Sequence, residues 1–244
     1  QLPLAIFGIA IGIILLPSLS KAIKQNLQTA IHTTQNRSLE FCLFISLPAA
    51  IGLYLLSEPI IYILFERGAF VTEDTIYTSK VLSFFALGLP AYIFIKVLVT
   101  CFFAREDTKT PLYVSLISVL INIILSLIFI QSMREMGIAL ATAISAWINC
   151  FLLYFILKIK GSIYFDFKLI RNGYRIIICS ILMACVCYFL NHALFLNLTI
   201  QSNIFNIGAL ILTLLLCKII YIVMIFVLKV LTFDELKGYL RNKS

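Results

Sequence analysis

The sequence predicts an all-α integral membrane protein with about seven transmembrane helices, and three observations carry that expectation. Of its 244 residues, 62% are hydrophobic and only 12% charged, whereas a soluble domain of similar length is nearer half apolar and about a quarter charged. So little polar surface cannot face water on all sides. Seven stretches, 2–20, 39–56, 76–103, 111–131, 137–157, 174–196 and 204–229, are apolar over most of their length. A helix needs about 20 such residues to cross a hydrocarbon core of about 30 Å.

The third observation is the placing of Lys and Arg. When the seven stretches are threaded alternately, fourteen basic residues fall on one face: Lys21, Lys24, Arg37, Arg105, Lys109, Lys158, Lys160, Lys168, Arg171, Arg175, Lys229, Lys237, Arg241 and Lys243. The other face receives Arg67, Lys80 and Arg134. That bias sets the first face as cytoplasmic, with the first helix running outside to inside and the C-terminus inside. It also accounts for the net charge of +8 without nucleic acid, since the charge is spread over four loops with no interleaved aromatics. The chain opens at Gln1 with no basic leader or small-residue cleavage site. No signal peptide is expected, and the chain reads as a piece of a longer membrane protein.

In the first stretch, Gly8 and Gly12 are four residues apart and allow close approach of another helix. Pro3 and Pro17 interrupt that stretch, Pro48 the second and Pro90 the third. In lipid each carbonyl freed by a proline must find a partner in neighbouring protein or water. Pro59–Phe65 is too short to span and reads as a surface helix or packed loop. Lys96 in the third stretch lies about 13 Å from Arg105, and Lys218 in the last about 16 Å from Lys229, at 1.5 Å per residue. A charge at mid-membrane costs about 2.5–3.5 kcal/mol on insertion scales, so such residues face a cavity or a partner, or snorkel to the surface.

The third and fourth stretches are joined by the turn FFAREDTKTP (102–111). Asp107, Thr108 and Thr110 suit helix caps, and Pro111 suits the first turn of the following helix. Arg105 and Asp107 are candidates for an ion pair within the turn. The fourth stretch carries Ser115, Ser118, Asn122 and Ser126 at helical spacing, and the fifth Thr142, Ser145 and Asn149. These stripes could hydrogen-bond between helices or bind a small desolvated cation through their oxygens.

Seven cysteines all fall inside apolar runs without metal-site spacing and read as small buried hydrophobes. No nucleophile triad, HExxH, P-loop or GxGxxG is present, and the carboxylate closest to a span interior is Glu40, at an entry, so an enzyme is disfavoured.

Three segments, GIAIGIILLPSLSK (8–21), ISLPAAIGLYLLSEPIIYILFERGAF (45–70) with its following Thr, and FFAREDTKTP (102–111), resemble in order and spacing the C-terminal half of the MurJ (MviN) lipid II flippases. These belong to the multidrug/oligosaccharidyl-lipid/polysaccharide exporter superfamily. The resemblance runs from Gln1 to about residue 160. It implies a fourteen-helix transporter of two lobes, of which the seven spans would be helices 8–14. Residues 1–158 would then form most of the C-terminal lobe, 159–173 a basic cytoplasmic linker, 174–230 an extra helix pair forming a groove for a lipid tail, and 231–244 a cytoplasmic tail.

The resemblance further implies a protein of the bacterial inner membrane that moves lipid II, the undecaprenyl-pyrophosphate-linked disaccharide-pentapeptide, to the outer leaflet by alternating access. Its partners would be lipid II, membrane lipids and the N-terminal half of the same protein. Pro17, Ser18 and Ser20 match the cavity-side segment, with Lys96 and Lys218 as further cavity candidates from their depth. Asn122, Ser126 and Thr142 fall near positions where some members bind sodium, and Ser126 stands where those members carry a carboxylate. No other cofactor is implied. The same fold would also suit an exporter of another polyprenyl-linked oligosaccharide, a cation-coupled drug exporter, or a membrane scaffold that does not transport.

Overall fold

A computed structural model describes residues 9–195 and 203–230. The described residues form eight helices: α1 (Ile9–Lys24), α2 (Gln28–Leu55), α3 (Ser57–Phe65), α4 (Thr72–Phe103), α5 (Lys109–Met133), α6 (Glu135–Ile159), α7 (Phe167–Phe195) and α8 (Asn203–Val227). Six of these, α2 and α4 to α8, are long and apolar enough to cross a membrane. In the first expected span only α1 from Ile9 is described, so the close approach expected at Gly8 lies outside the described residues, as does the tail 231–244.

Two helices begin well before their apolar stretches. α2 starts eleven residues before the expected 39, in the polar run QTAIHTTQNRS. Thr33 and Ser38 donate their hydroxyls to carbonyls one turn back, Thr29 at 2.7 Å and Thr34 at 2.9 Å. Gln35 and Asn36 are buried, so packing holds this part helical where hydropathy is silent. α7 starts at Phe167 because the Asp166 carboxylate accepts the Leu169 N–H at 2.6 Å, satisfying a donor that the first turn leaves free.

The short apolar piece is a helix. α3 packs on α4 and α8 with Pro59 and Ile61 buried, and Ser83 Oγ donates to Ser57 Oγ at 2.8 Å. Beyond it, Glu66 accepts the hydroxyls of Thr72, at 2.9 Å, and Thr75. The Thr that follows the ERGAF motif therefore closes the turn into α4.

α4 lies at the centre, against α1, α2, α3 and α6, and α6 in turn carries α5. Leu19, Cys42, Ile93, Val97, Leu153 and Leu157 lie in the main core. A second core lies between α7 and α8, from Ile176, Cys179, Cys187, Tyr221 and Ile225, with Leu47 and Ile51 of α2 packed against it. α2 thus serves as a wall of both. Six of the seven cysteines are buried and all are free thiols; Cys185 is exposed. Along α5 the exposed side chains include Leu116, Leu120, Ile124 and Leu127. Such a surface would aggregate in water and is what a hydrocarbon solvent requires.

Prolines explain where the helices hold one another. Pro48 has no N–H for the carbonyl of Phe44 four residues earlier, and Tyr221 Oη of α8 donates to that carbonyl at 2.8 Å. Pro59 likewise leaves the carbonyl of Leu55, and Asn191 Nδ2 of α7 donates there at 2.9 Å. Near Pro90, Trp147 Nε1 of α6 donates to the Leu87 carbonyl at 3.0 Å. Proline-freed acceptors on α2 are therefore docking points for the α7–α8 pair. Tyr221→Phe is expected to cost about 1 kcal/mol, the usual worth of such a bond. In a Pro48→Ala background, where the backbone N–H returns, the same change should cost much less. A double-mutant cycle by unfolding in detergent measures the difference, and equal costs in both backgrounds would contradict this account.

Candidate functional site

At the basic end of the bundle, the turn after α4 and the segment after α6 form one polar network. Asp107 accepts the Thr110 N–H at 3.0 Å and the Thr110 hydroxyl at 2.8 Å, so the cap of α5 is Asp107, while Thr108 makes no side-chain cap bond. Pro111 is buried in the first turn of α5. Lys160 Nζ, which lies 5.6 Å from the Phe102 ring centroid, pairs with Asp107 Oδ2 at 2.7 Å. The ion pair expected between Arg105 and Asp107 does not form. Arg105 instead donates to the carbonyls of Cys101 at 2.8 Å and Ser162 at 2.9 Å. Its long fork reaches one acceptor on α4 itself and one beyond α6, while Lys160 takes the carboxylate.

These contacts hold the Asp107 carboxyl down at about 2, chiefly through Lys160 and then through Thr110. Because the folded value is depressed, the contribution to stability is present above the usual 3.8 and is lost as pH falls toward about 2. Melting temperatures between about pH 4 and 2 should therefore fall more steeply for the wild type than for Asp107→Asn. Parallel profiles would remove the carboxylate from this role.

A second network ties α7 to α2. Arg37 pairs with Glu40 and, at 2.9 Å, with Asp166. Asn172 Nδ2 donates to the other Glu40 oxygen. Asn36 Nδ2 donates to the Tyr164 carbonyl at 3.0 Å, and His32 meets the Tyr164 ring edge-on at 5.2 Å. The segment between α6 and α7 is thus strapped across the ends of α2 and α4.

Within the spans, Asn122, Ser126 and Thr142 come together. Ser126 Oγ donates to Asn122 Oδ1 at 3.0 Å and Asn122 Nδ2 to Thr142 Oγ1 at 3.3 Å, while Thr142 donates to the Ile138 carbonyl at 2.8 Å. As a donor set the trio offers a cation three neutral oxygens, each already engaged in these bonds. The chain of bonds joins α5 to α6 without one.

Lys96 and Lys218 are exposed, on α4 and α8, and neither ammonium has a hydrogen-bond or ion-pair partner among the described residues. Lys218 stands among exposed Leu214, Leu215, Ile219 and Ile222. Pro17 and Ser18 are exposed and Ser20 half-buried; Ser18 Oγ donates to the Ile14 carbonyl at 3.0 Å. Pro17 and Ser18 thus lie on the unpacked side of α1, away from the buried Leu15 and Leu19. Sequence reasoning missed Tyr221, Asn191 and Trp147. The signal available was a polar-tipped side chain in an apolar run, but its acceptor is far along the chain.

The model of the family described as lipid II flippase MurJ matches residues 1–207. Among curated relatives, the chain is 42% identical over 192 residues to a protein of Rhizobium tropici described as a probable lipid II flippase MurJ, covering 79% of this chain and 36% of that one. A Rickettsia prowazekii protein of the same description is 35% identical over 235 residues, covering 96% and 46%. A solved structure described as lipid II flippase MurJ in an inward closed conformation superposes with a TM-score of 0.75 at 29% identity, over 91% of this chain and 43% of that one. The chain spans less than half the length of these relatives. With its membrane-crossing helices, the match along most of its length and the shared fold, the chain belongs to the lipid II flippase MurJ family.

Proposed function

We propose that the chain works as the C-terminal part of a flippase that carries lipid II from the inner to the outer leaflet of the bacterial inner membrane by alternating access. The basic end faces the cytoplasm, together with the C-terminus. Residues 1–158 form most of one lobe, 159–166 the strap, since α7 already begins at Phe167, 167–230 a pair that guides the polyprenyl tail, and 231–244 a cytoplasmic tail. The rest of the cavity comes from an N-terminal lobe, in keeping with the greater length of the relatives.

The observation that carries this reading is Lys218: an exposed ammonium deep in α8, among apolar side chains, with no partner among the described residues. In hydrocarbon such a charge is unfavourable by about 2.5–3.5 kcal/mol. An arriving pyrophosphate would offset that penalty through charge-assisted hydrogen bonds. Lys96, Pro17, Ser18 and Ser20 line the same route in this reading, and no bond is made or broken in the cargo.

The test is a chimera in which this chain replaces the matching part of the Rhizobium tropici relative, expressed in a host depleted of its own flippase. Restored growth and outer-leaflet lipid II are expected. A chimera that inserts and is stable yet moves no precursor would end the proposal. Lys218→Met in that chimera should slow flipping by about tenfold, equivalent to about 1.4 kcal/mol; an unchanged rate would remove Lys218 from the route.

The trio Asn122, Ser126 and Thr142 supports two roles, of which we favour a clasp between α5 and α6 over a sodium site. Flipping by the chimera should then be the same in sodium and in choline buffers. A sodium dependence abolished by Asn122→Ala would instead assign the ion.

A further inference from the structure

One cluster at the basic end holds none of the cargo ligands named above. As a membrane-crossing segment α7 has 28 residues, about 42 Å at 1.5 Å per residue. The hydrocarbon core is about 30 Å, so its polar ends reach the headgroups. On the outward face at one end stand Phe167 (77% exposed), Ile170, Arg171 and Tyr174 (67% exposed), at i, i+3, i+4 and i+7. Arg175 donates to the Lys229 carbonyl at 3.0 Å, which brings the turn ending α8, with Lys229 at φ 53°, beside it. The first turns of α7 and the turn after α8 thus bring Arg171, Arg175 and Lys229 to one end of the helix pair.

The acidic side chains of the two nearby networks are engaged elsewhere: Glu40 and Asp166 with Arg37, and Asp107 with Lys160. Arg171 has no hydrogen-bond or ion-pair partner among the described residues. Gathered like charges call for a counter-charge, and flanking aromatics place that counter-charge at the membrane–water interface. We propose that this face binds the phosphate of an anionic glycerophospholipid of the inner leaflet, with Arg171 as its principal ligand and Phe167 and Tyr174 against the glycerol and upper acyl chain. The proposal rests on the membrane orientation given above and is independent of the cargo.

The probe is phosphatidylglycerol with a photoreactive acyl chain, in vesicles that also contain phosphatidylcholine, with the purified chimera reconstituted in them. Phosphatidylglycerol should be captured several-fold over a matched phosphatidylcholine probe, at peptides covering residues 164–177. Arg171→Gln with Lys229→Gln should reduce capture to the phosphatidylcholine level without changing the melting temperature, and Arg171→Lys should retain part of it. Equal capture of the two lipids, or no loss in the double variant, would overturn the proposal. So would displacement by millimolar inorganic phosphate, which would make the site one for a free anion. A rise in capture on deleting residues 231–244, which carry Asp234 and Glu235, would make that segment the occupant. None of these readings requires the chimera to flip lipid II.

Discussion

Arg37→Met is expected to destabilise the protein by about 2–3 kcal/mol and to open the strap between α6 and α7 to protease. The guanidinium serves two carboxylates, Glu40 and Asp166, whose side chains are 12% and 38% exposed. Removing one partner of a fully buried pair costs about 3–5 kcal/mol because the other charge is left without compensation. Partial exposure of Asp166 lowers that figure, while the mostly buried Glu40 keeps it well above the worth of a surface pair. Methionine fills much the same volume, so the loss reports charge and hydrogen bonds. Thermal unfolding in detergent gives the energy, and limited proteolysis between Lys160 and Asp166 gives the opening. Arg37→Lys should recover only part, since one ammonium cannot span both carboxylates as the fork does. A Met variant that melts like the wild type would show that the strap is held by packing alone.

Gly137→Val is expected to cost about 3 kcal/mol, at the upper end for overpacking. A Cβ built on Gly137 would lie 2.7 Å from the backbone carbon and oxygen of Phe129. Backbone cannot rotate out of the way as a side-chain tip can, so α5 and α6 would have to separate at their shared turn. Gly52 and Gly208 are internal controls, since a Cβ at either meets nothing within 4 Å. Alanine there should be neutral or stabilise by up to about 1 kcal/mol, because glycine is a poor helix former. If Gly137→Val and Gly52→Ala shifted the unfolding midpoint equally, the close approach would carry no energy.

The spans were legible because hydrocarbon imposes the same demand on every crossing helix: an apolar run of sufficient length. From 76–103 to 204–229, five of the expected stretches lie within their helices to within two residues. The polar starts of α2 and α7 were illegible for the opposite reason. Residues 28–38 are helical through contacts such as Asn36 with Tyr164, 128 positions away. Distance along the chain also hid the site's partners. Arg105 and Asp107 are neighbours in sequence and were expected to pair, yet Ser162 and Lys160 take their places. The prolines advertised freed carbonyls, but nothing local identified Tyr221 or Asn191 as the donors. Depth was easier to read than partnership: Lys96 and Lys218 stood out by distance from the loops alone.

The exposure of Cys185, set against six buried thiols, makes the chain a ready subject for chemical labelling. Cys185 lies about 27 Å along α7 from Phe167 at 1.5 Å per residue, well inside the hydrocarbon. Thiol reagents attack the thiolate, which hydrocarbon does not solvate, so a charged thiosulfonate added from water should modify none of the native thiols. New cysteines placed along α1 or α8 could then be scanned with aqueous reagents without first stripping the native ones. Their reaction would report water entering the proposed route, recorded position by position in the protein's own membrane.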